Sequence, residues 1–301
     1  MKIKFCLLAL LAALILPDAR AQELEELLSK YKETNGKLYM QPLADAFGTS
    51  FNSGLYHNAA IKKNGFQLYV GVSAMAAIVP NKLKTFNAET EGLFVPLEGK
   101  DATFEVPSVL GATEGLTVEG IGGTSYTFPG GLNLDYVPLA VPQATIGSIM
   151  GTNATLRFIS YDAGEDIGKL ELFGWGIRHS IDQYVETLPF SLAVGFYNQT
   201  FKVGDIVDAS GSLISLQASL KKSIITLYGG IGYETSSLDI SYTYEEGDVE
   251  EEISFDLDGP KSMRATVGVT INLGPLKVNA DYNLAEVNVL SAGVGIGIGD
   301  K

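Results

Sequence analysis

Residues 263–273 constrain this chain more than any catalytic motif does. Met263, Ala265, Val267, Val269, Ile271 and Leu273 alternate with Arg264, Thr266, Gly268, Thr270 and Asn272. Side chains of a strand point to opposite faces with a period of two, so one face here is wholly apolar and the other polar or bare. Similar alternation recurs along the chain in segments of roughly ten residues separated by turn-type residues. A soluble sandwich would also alternate. The segment length, the polarity of the second face and an apolar leader point instead to a transmembrane antiparallel β-barrel, all-β in class. Such a barrel hides its apolar content in alternation and needs no hydropathy peak.

The leader occupies residues 1–21. Lys2 and Lys4 precede an apolar stretch over 5–16, and Ala19-Arg20-Ala21 offers small residues at the two positions a signal peptidase reads. Cleavage before Gln22 is predicted, hence an exported protein of the outer membrane. The stretch is too short to span a bilayer as a helix. The single cysteine, Cys6, lies inside it, which leaves the mature chain without disulfide or thiolate chemistry. Formal net charge is −14, and loss of the leader removes more bases than acids. That argues against a nucleic-acid partner and leaves outer-membrane lipid as the expected one. The acidic runs at 23–26 and 245–252 read as solvated loops; calcium bridging to lipid headgroups is the alternative, and their spacing does not select it.

Residues 22–37 place Leu24, Leu27, Leu28 and Tyr31 at helical spacing, which predicts a short amphipathic helix ending near Asn35-Gly36. Residues 39–60, rich in small side chains, read as irregular, so 22–64 form an N-terminal helix and hatch-like segment. The barrel then occupies 65–301. Its first wall strand is read at 65–79, followed by an irregular plug or loop region at 81–151. Prolines and two Gly-Gly pairs there predict short strands and a loop folded over or into the pore. Regular strands return at 153–161, 169–184, 189–199, 212–220, 224–234, 237–245, 252–257, 263–273, 276–284 and 287–299. Tight turns at 221–223 and 274–275 contrast with long connections at 202–211 and 244–261, as short periplasmic turns and long outer loops would. The estimate is about 12–14 strands.

The polar faces define the interior. Arg157, Arg178, Glu234, Arg264 and Asp281 are the candidate lumen charges; a charge facing lipid near midplane would cost roughly 2–4 kcal/mol. Pairing of the arginines with Glu234, Asp239 or Asp281 would rigidify the wall, and contact with a ligand is the other role. Glycines alternate along 289–299, leaving a bare inner face for a plug or a curved wall. Tyr39, Leu43, Phe47, Phe51 and Leu55 either line a pocket for a small hydrophobic ligand or pack a plug against the wall. Catalytic chemistry is not predicted. His179 neighbours Ser180 and Asp182, but adjacent side chains of a strand face opposite ways and would not meet as a triad. There is no G-x-S-x-G, zinc spacing or phosphate loop, and no cofactor is expected.

Four stretches, at 42–59 (PLADAFGTSFNSGLYHNA), 65–80, 141–161 and 174–201, resemble a family of exported outer-membrane β-barrel proteins of the Bacteroidota type. No function is assigned to that family, so the resemblance implies fold and location only. A weaker likeness is to long-chain fatty-acid transporters, barrels whose small-residue N-terminal hatch enters the lumen before the first strand. Residues 46–59 are similar in position, but His57-Asn58-Ala59 stands where that hatch carries Asn-Pro-Ala, and no aromatic closes the last strand. Two functions follow as expectations: a gated channel for small hydrophobic molecules, and a non-transporting scaffold or anchor for envelope proteins. The scaffold would show a filled lumen and partner-binding loops at 202–211 and 244–261. A general porin, with an open and strongly charged lumen, stands third.

Overall fold

Alternation of apolar and polar residues closes on itself in the computed structural model of the protein. The structure describes residues 31, 33–99, 102–162, 169–185, 188–204, 206–246 and 249–299. The leader at 1–21 and the start of the predicted helix lie outside the described residues. In chain order the elements are α1 (Glu33–Phe51), β1 (Gln67–Ile78), β2 (Thr85–Glu89), β3 (Thr103–Pro107), β4 (Leu116–Glu119), β5 (Ser125–Phe128), β6 (Tyr136–Ile149), β7 (Thr152–Asp162) and β8 (Lys169–Ser180). Then follow β9 (Ser191–Val203), β10 (Val207–Lys222), β11 (Ile225–Glu246), β12 (Val249–Asp258), β13 (Ser262–Leu273), β14 (Leu276–Leu284) and β15 (Val289–Ile298). No described helix is long and apolar enough to cross a membrane.

Ten positions make the wall. The order runs β1-β6-β7-β8-β9-β10-β11-β13-β14-β15, and β15 pairs antiparallel with β1 to close the ring. β11 is 22 residues long. Its first half pairs with β13 and its second half with β12, so β12 and β13 share one position, interrupted at Gly259-Pro260-Lys261. Val267 faces outward at 62% exposure, along with Phe173, Ile177, Leu216 and Ile296, whereas Ser215, Gln217, Asn279 and Ser291 are buried inside. Apolar outside and polar inside inverts the rule for soluble proteins and is the signature of a lipid-facing wall. Trp175 belongs to this outer face and packs against Phe196.

The strand count is ten, not 12–14. Residues 80–99 and 102–135 fold above one mouth as a cap and add no strand to the wall. The hairpins β2–β3 and β4–β5 form its frame, and Phe104, Tyr126 and Phe128 pack between them. The irregular region also ends earlier than 151, because β6 begins at Tyr136 despite Pro138 and Pro142. β6 pairs with β7 only from Gln143 downward, so the prolines lie where one edge of the strand is unpaired and a missing donor costs little. The connection at 202–211 is a tight turn rather than a long loop, since β9 and β10 pair up to Val203 and Val207. Strands read separately at 224–234 and 237–245 are one strand.

α1 runs through the stretch read as irregular. Tyr39, Leu43, Phe47 and Phe51 recur at four-residue spacing, and tertiary packing of that face overrides the breakers Gly36 and Pro42. Pro42 has no N–H to offer within the helix, and the nearby Tyr39 carbonyl accepts a hydrogen bond from Val109 N of the cap at 3.1 Å. From Phe51 the chain descends through the lumen. It emerges at the opposite mouth, where Lys62 N donates to Gln67 Oε1 at the start of β1. The cap, α1 and the β11–β12 hairpin thus occupy one end, and the turns Ser223-Ile224 and Gly274-Pro275 the other.

Candidate functional site: a tethered plug and its mouth

The last four carbonyls of a helix lack partners within it, and the helix dipole makes that end negative. In α1 this end points down into the barrel, where wall side chains meet it. Gln199 Nε2 donates to Phe51 O at 2.8 Å. Arg264 Nη1 donates to Asn52 O at 2.9 Å and its Nη2 to Ser53 Oγ at 2.6 Å. Arg157 Nη2 donates to Ser53 O at 3.1 Å and also to Gly54 O. Gly54, three residues past the end of α1, takes φ +63°, a left-handed conformation that turns the chain onward.

Lower in the lumen the tethering continues. Thr270 Oγ1 donates to His57 O at 2.6 Å, Arg178 Nη1 to Asn58 O at 2.6 Å, and Ala59 N to Ser219 Oγ at 3.0 Å. Most of these contacts go to plug backbone, so they fix its position with little regard to its side chains. The bare glycines of β15 have an occupant: Tyr69 lies over Gly295, where a Cβ would meet its ring at 2.6 Å, and the ring of His57 of the plug packs against Tyr69 at a tilt, 4.3 Å between centroids.

The five lumen charges take different partners. Arg264 pairs with Glu234 at 2.6 Å, both side chains shielded from solvent. Arg157, 1% exposed, is held by Gln143 and Gln199 side-chain oxygens at 3.1 Å as well as by the plug. Arg178 bonds Asn153 Oδ1 at 3.1 Å and Gln217 Oε1 at 3.4 Å. The oxygens hydrogen-bonded to these two arginines are therefore neutral. Asp281 accepts from Tyr228 OH at 2.8 Å and Asn283 Nδ2 at 2.6 Å. Asp239 sits on the β11–β12 extension, in register with Asp208 and Asp256.

Tyr39, Leu43, Phe47 and Phe51 belong to the apolar cluster of α1 and the cap, while Leu55 joins Tyr56, Tyr197, Leu213 and Tyr228 lower down. Phe47 contacts the rings of Phe51 and Phe201 at centroid distances of 5.4 and 5.3 Å. The structure therefore brings four of these five residues together as packed core and separates the fifth. His179 contacts Thr152 Oγ1 and Tyr184 OH, whereas Ser180 donates to Asp182 at 2.6 Å, so the three do not line up as a relay.

Two features escape a reading by residue type. The plug's acceptors are backbone carbonyls, which leave no mark in a sequence; of the glutamines, Gln199 ends a strand read at 189–199, whereas Gln143 falls in the stretch read as irregular. The other is a cavity of about 460 Å³ at the short-turn mouth, lined by Lys221, Asn272 and Lys277 among others.

An apolar outer belt, a polar lumen and a lumen-threading segment tied to the wall define a plugged transmembrane β-barrel of the outer-membrane type. By its sequence over residues 1–298, the chain belongs to the family of unknown function DUF6588. No curated protein matches it. Among solved structures it is similar to OmpT of Vibrio cholerae in its trimer form, at 10% identity over 78% of this chain and 100% of that one, with a TM-score of 0.27. Neisserial surface protein A is similar at 10% identity over 77% and 96%, with a TM-score of 0.26. A FadL homologue from Pseudomonas aeruginosa gives 9% identity over 86% and 96%, with a TM-score of 0.22.

Proposed function

We propose that the protein is a gated barrel of the outer membrane, with residues 38–60 as its gate and the short turns facing the periplasm. The observation that carries this reading is the mode of attachment. In mid-lumen the plug is held by hydrogen bonds from Arg157, Arg178 and Arg264 to its backbone, contacts that water can replace one by one. The helical part of the segment is held differently, with Tyr39, Leu43, Phe47 and Phe51 in the apolar cluster they share with the cap, and moving it would expose that surface as well. Passage requires the plug to shift, and a ligand drives that shift only by binding the shifted state better. For a small hydrophobic cargo, the packed rings of Phe47, Phe51 and Phe201 would have to part and receive it.

Deleting 38–60 while keeping the wall should turn a nearly silent barrel into a conducting one in planar bilayers. A deletion variant that migrates as a folded, heat-modifiable barrel yet stays silent would overturn the gate. The scaffold reading would then take its place. It has its own support in the cap, where Leu93 is fully exposed and Leu97 and Ile121 largely so.

A further inference from the structure

We propose that the pore left when the plug withdraws selects small anions, with the facing guanidinium groups of Arg157 and Arg264 as its filter and Arg178 as the next charge below; this rests on the gated-barrel reading. The placement comes from the order of the wall. β7 and β13 lie five places apart in the ring of ten, so they face each other across the lumen. Arg157 of β7 donates to Ser53 O, and Arg264 of β13 donates to Ser53 Oγ. Opposed arginines thus reach one plug residue from two sides, and the plug chain runs between them. Gly174 of β8 is in register with Arg157, so Arg178 stands four positions further down that strand, roughly 13 Å at the usual rise per residue. There it donates to Asn58 O.

The closed state does not need these charges. Gln199 ties Phe51 O and Thr270 ties His57 O with neutral donors, at 2.8 and 2.6 Å. Arginine does the same task at a greater desolvation cost, because every acceptor bonded to Arg157 and Arg178 is an uncharged amide oxygen. The charge therefore answers to the open state. Among the described residues the buried charged side chains are Arg157, Arg178, Arg264, Glu234, Asp281 and Lys277. Lys277 lies lower, beside Asn272 at the short-turn mouth. Along residues 52–59, then, three guanidinium groups meet two carboxylates, Glu234 paired with Arg264 and Asp281 held by Tyr228 and Asn283. That stretch is positive in a chain whose formal net charge is −14. The wall also keeps Arg157 in place by itself. Gln143 accepts from Nε and Gln199 from Nη1, so Nη2 stays aimed at the lumen when the plug's carbonyls leave it. Arginines facing a narrow pore select anions, because a low-dielectric wall focuses their field onto the passing ion.

The test is the reversal potential of the barrel lacking 38–60, in planar bilayers under a KCl gradient. Chloride should permeate at least about threefold more readily than potassium. Arg157→Gln should bring that ratio close to one. Arg157→Gln/Arg178→Gln leaves one guanidinium against two carboxylates and should reverse the preference, whereas Asp281→Asn should strengthen the original one. Heat-modifiable migration checks that each variant is folded. Where the deletion does not fold, the measurement moves to single openings of full-length Gly48→Ala, whose added Cβ would strike Ser236 and unseat α1. A conducting barrel that prefers potassium, or whose preference is indifferent to Arg157 and Arg178, overturns the filter and leaves the gate standing. A folded deletion barrel that stays silent overturns the gate, and the filter with it.

Discussion

Arg264 does two jobs, and substitutions can separate them. It neutralises Glu234 inside the wall, and it holds the plug through Asn52 O and Ser53 Oγ. Arg264→Met removes both. A buried carboxylate left without its partner costs about 3–5 kcal/mol, and this falls on the wall whether or not the plug is in place. The two hydrogen bonds to the plug, charge-assisted and shielded, contribute roughly 1.5–3 kcal/mol each before water replaces them. A net loss of about 3 kcal/mol from the closed state alone would raise the open population about a hundredfold. The double variant Glu234→Gln/Arg264→Met removes the stranded charge while leaving the plug untied. It should recover most of the lost stability in urea and still open as often as the single variant. Urea titration of the folded band and single-channel recording give the two readouts, and with Glu234→Gln alone the four proteins form a cycle. A folded Arg264→Met barrel as silent as the native one would refute the guanidinium tether and leave packing of α1 as what holds the plug.

Arginine at Val267 should cost about 2–4 kcal/mol of folding stability, and arginine at Thr266 much less, because only the first faces lipid; equal tolerance in a refolding titration would put the register wrong. Gly48→Ala normally favours a helix by about 1 kcal/mol. Here its Cβ would strike Ser236 and approach Pro260 Cδ at 3.2 Å, so the midpoint of thermal plug release should fall. Burial pushes Asp45 of α1 above the ordinary carboxylate range, even though Gln41 donates to it. Its penalty therefore begins as pH rises past about 3.9 and is complete above the raised value. Closed-state stability should decline across that window, and Asp45→Asn should flatten the decline.

What the sequence disclosed follows from how physical constraints print themselves on residue type. β13 was legible to within a residue because lipid on one side and water on the other force a strict period of two. The same period put Arg157, Arg178 and Arg264 on the inner face. It did not reveal what they hold, since a carbonyl of Asn52 or Asn58 looks like any other carbonyl. The part of α1 beyond residue 38 was read as irregular for a related reason. Asn35-Gly36 and Pro42 are local signals for a break, whereas the packing that overrides them comes from Phe201, Val109 and Gly130, distant in sequence. Prolines 138 and 142 misled in the opposite direction. They argue against a strand that is paired on both edges, and the upper part of β6 is paired on one.

The plug is covalently continuous with β1, and β1 forms the seam of the ring with β15. Leu68 meets Ile298 there, across roughly 230 residues of chain. Contacts of such separation form late, after nearer hairpins have paired. The two seam strands also enclose the final path by which a segment joined to β1 at its lower end could be laid into the lumen from the side. Assembly is thereby left two routes: residues 52–62 lie among the wall arginines before β15 docks, or are afterwards drawn end-on through a ring already shut. Laid down first, residues 52–62 are the core over which the wall closes, as rope is laid over a core.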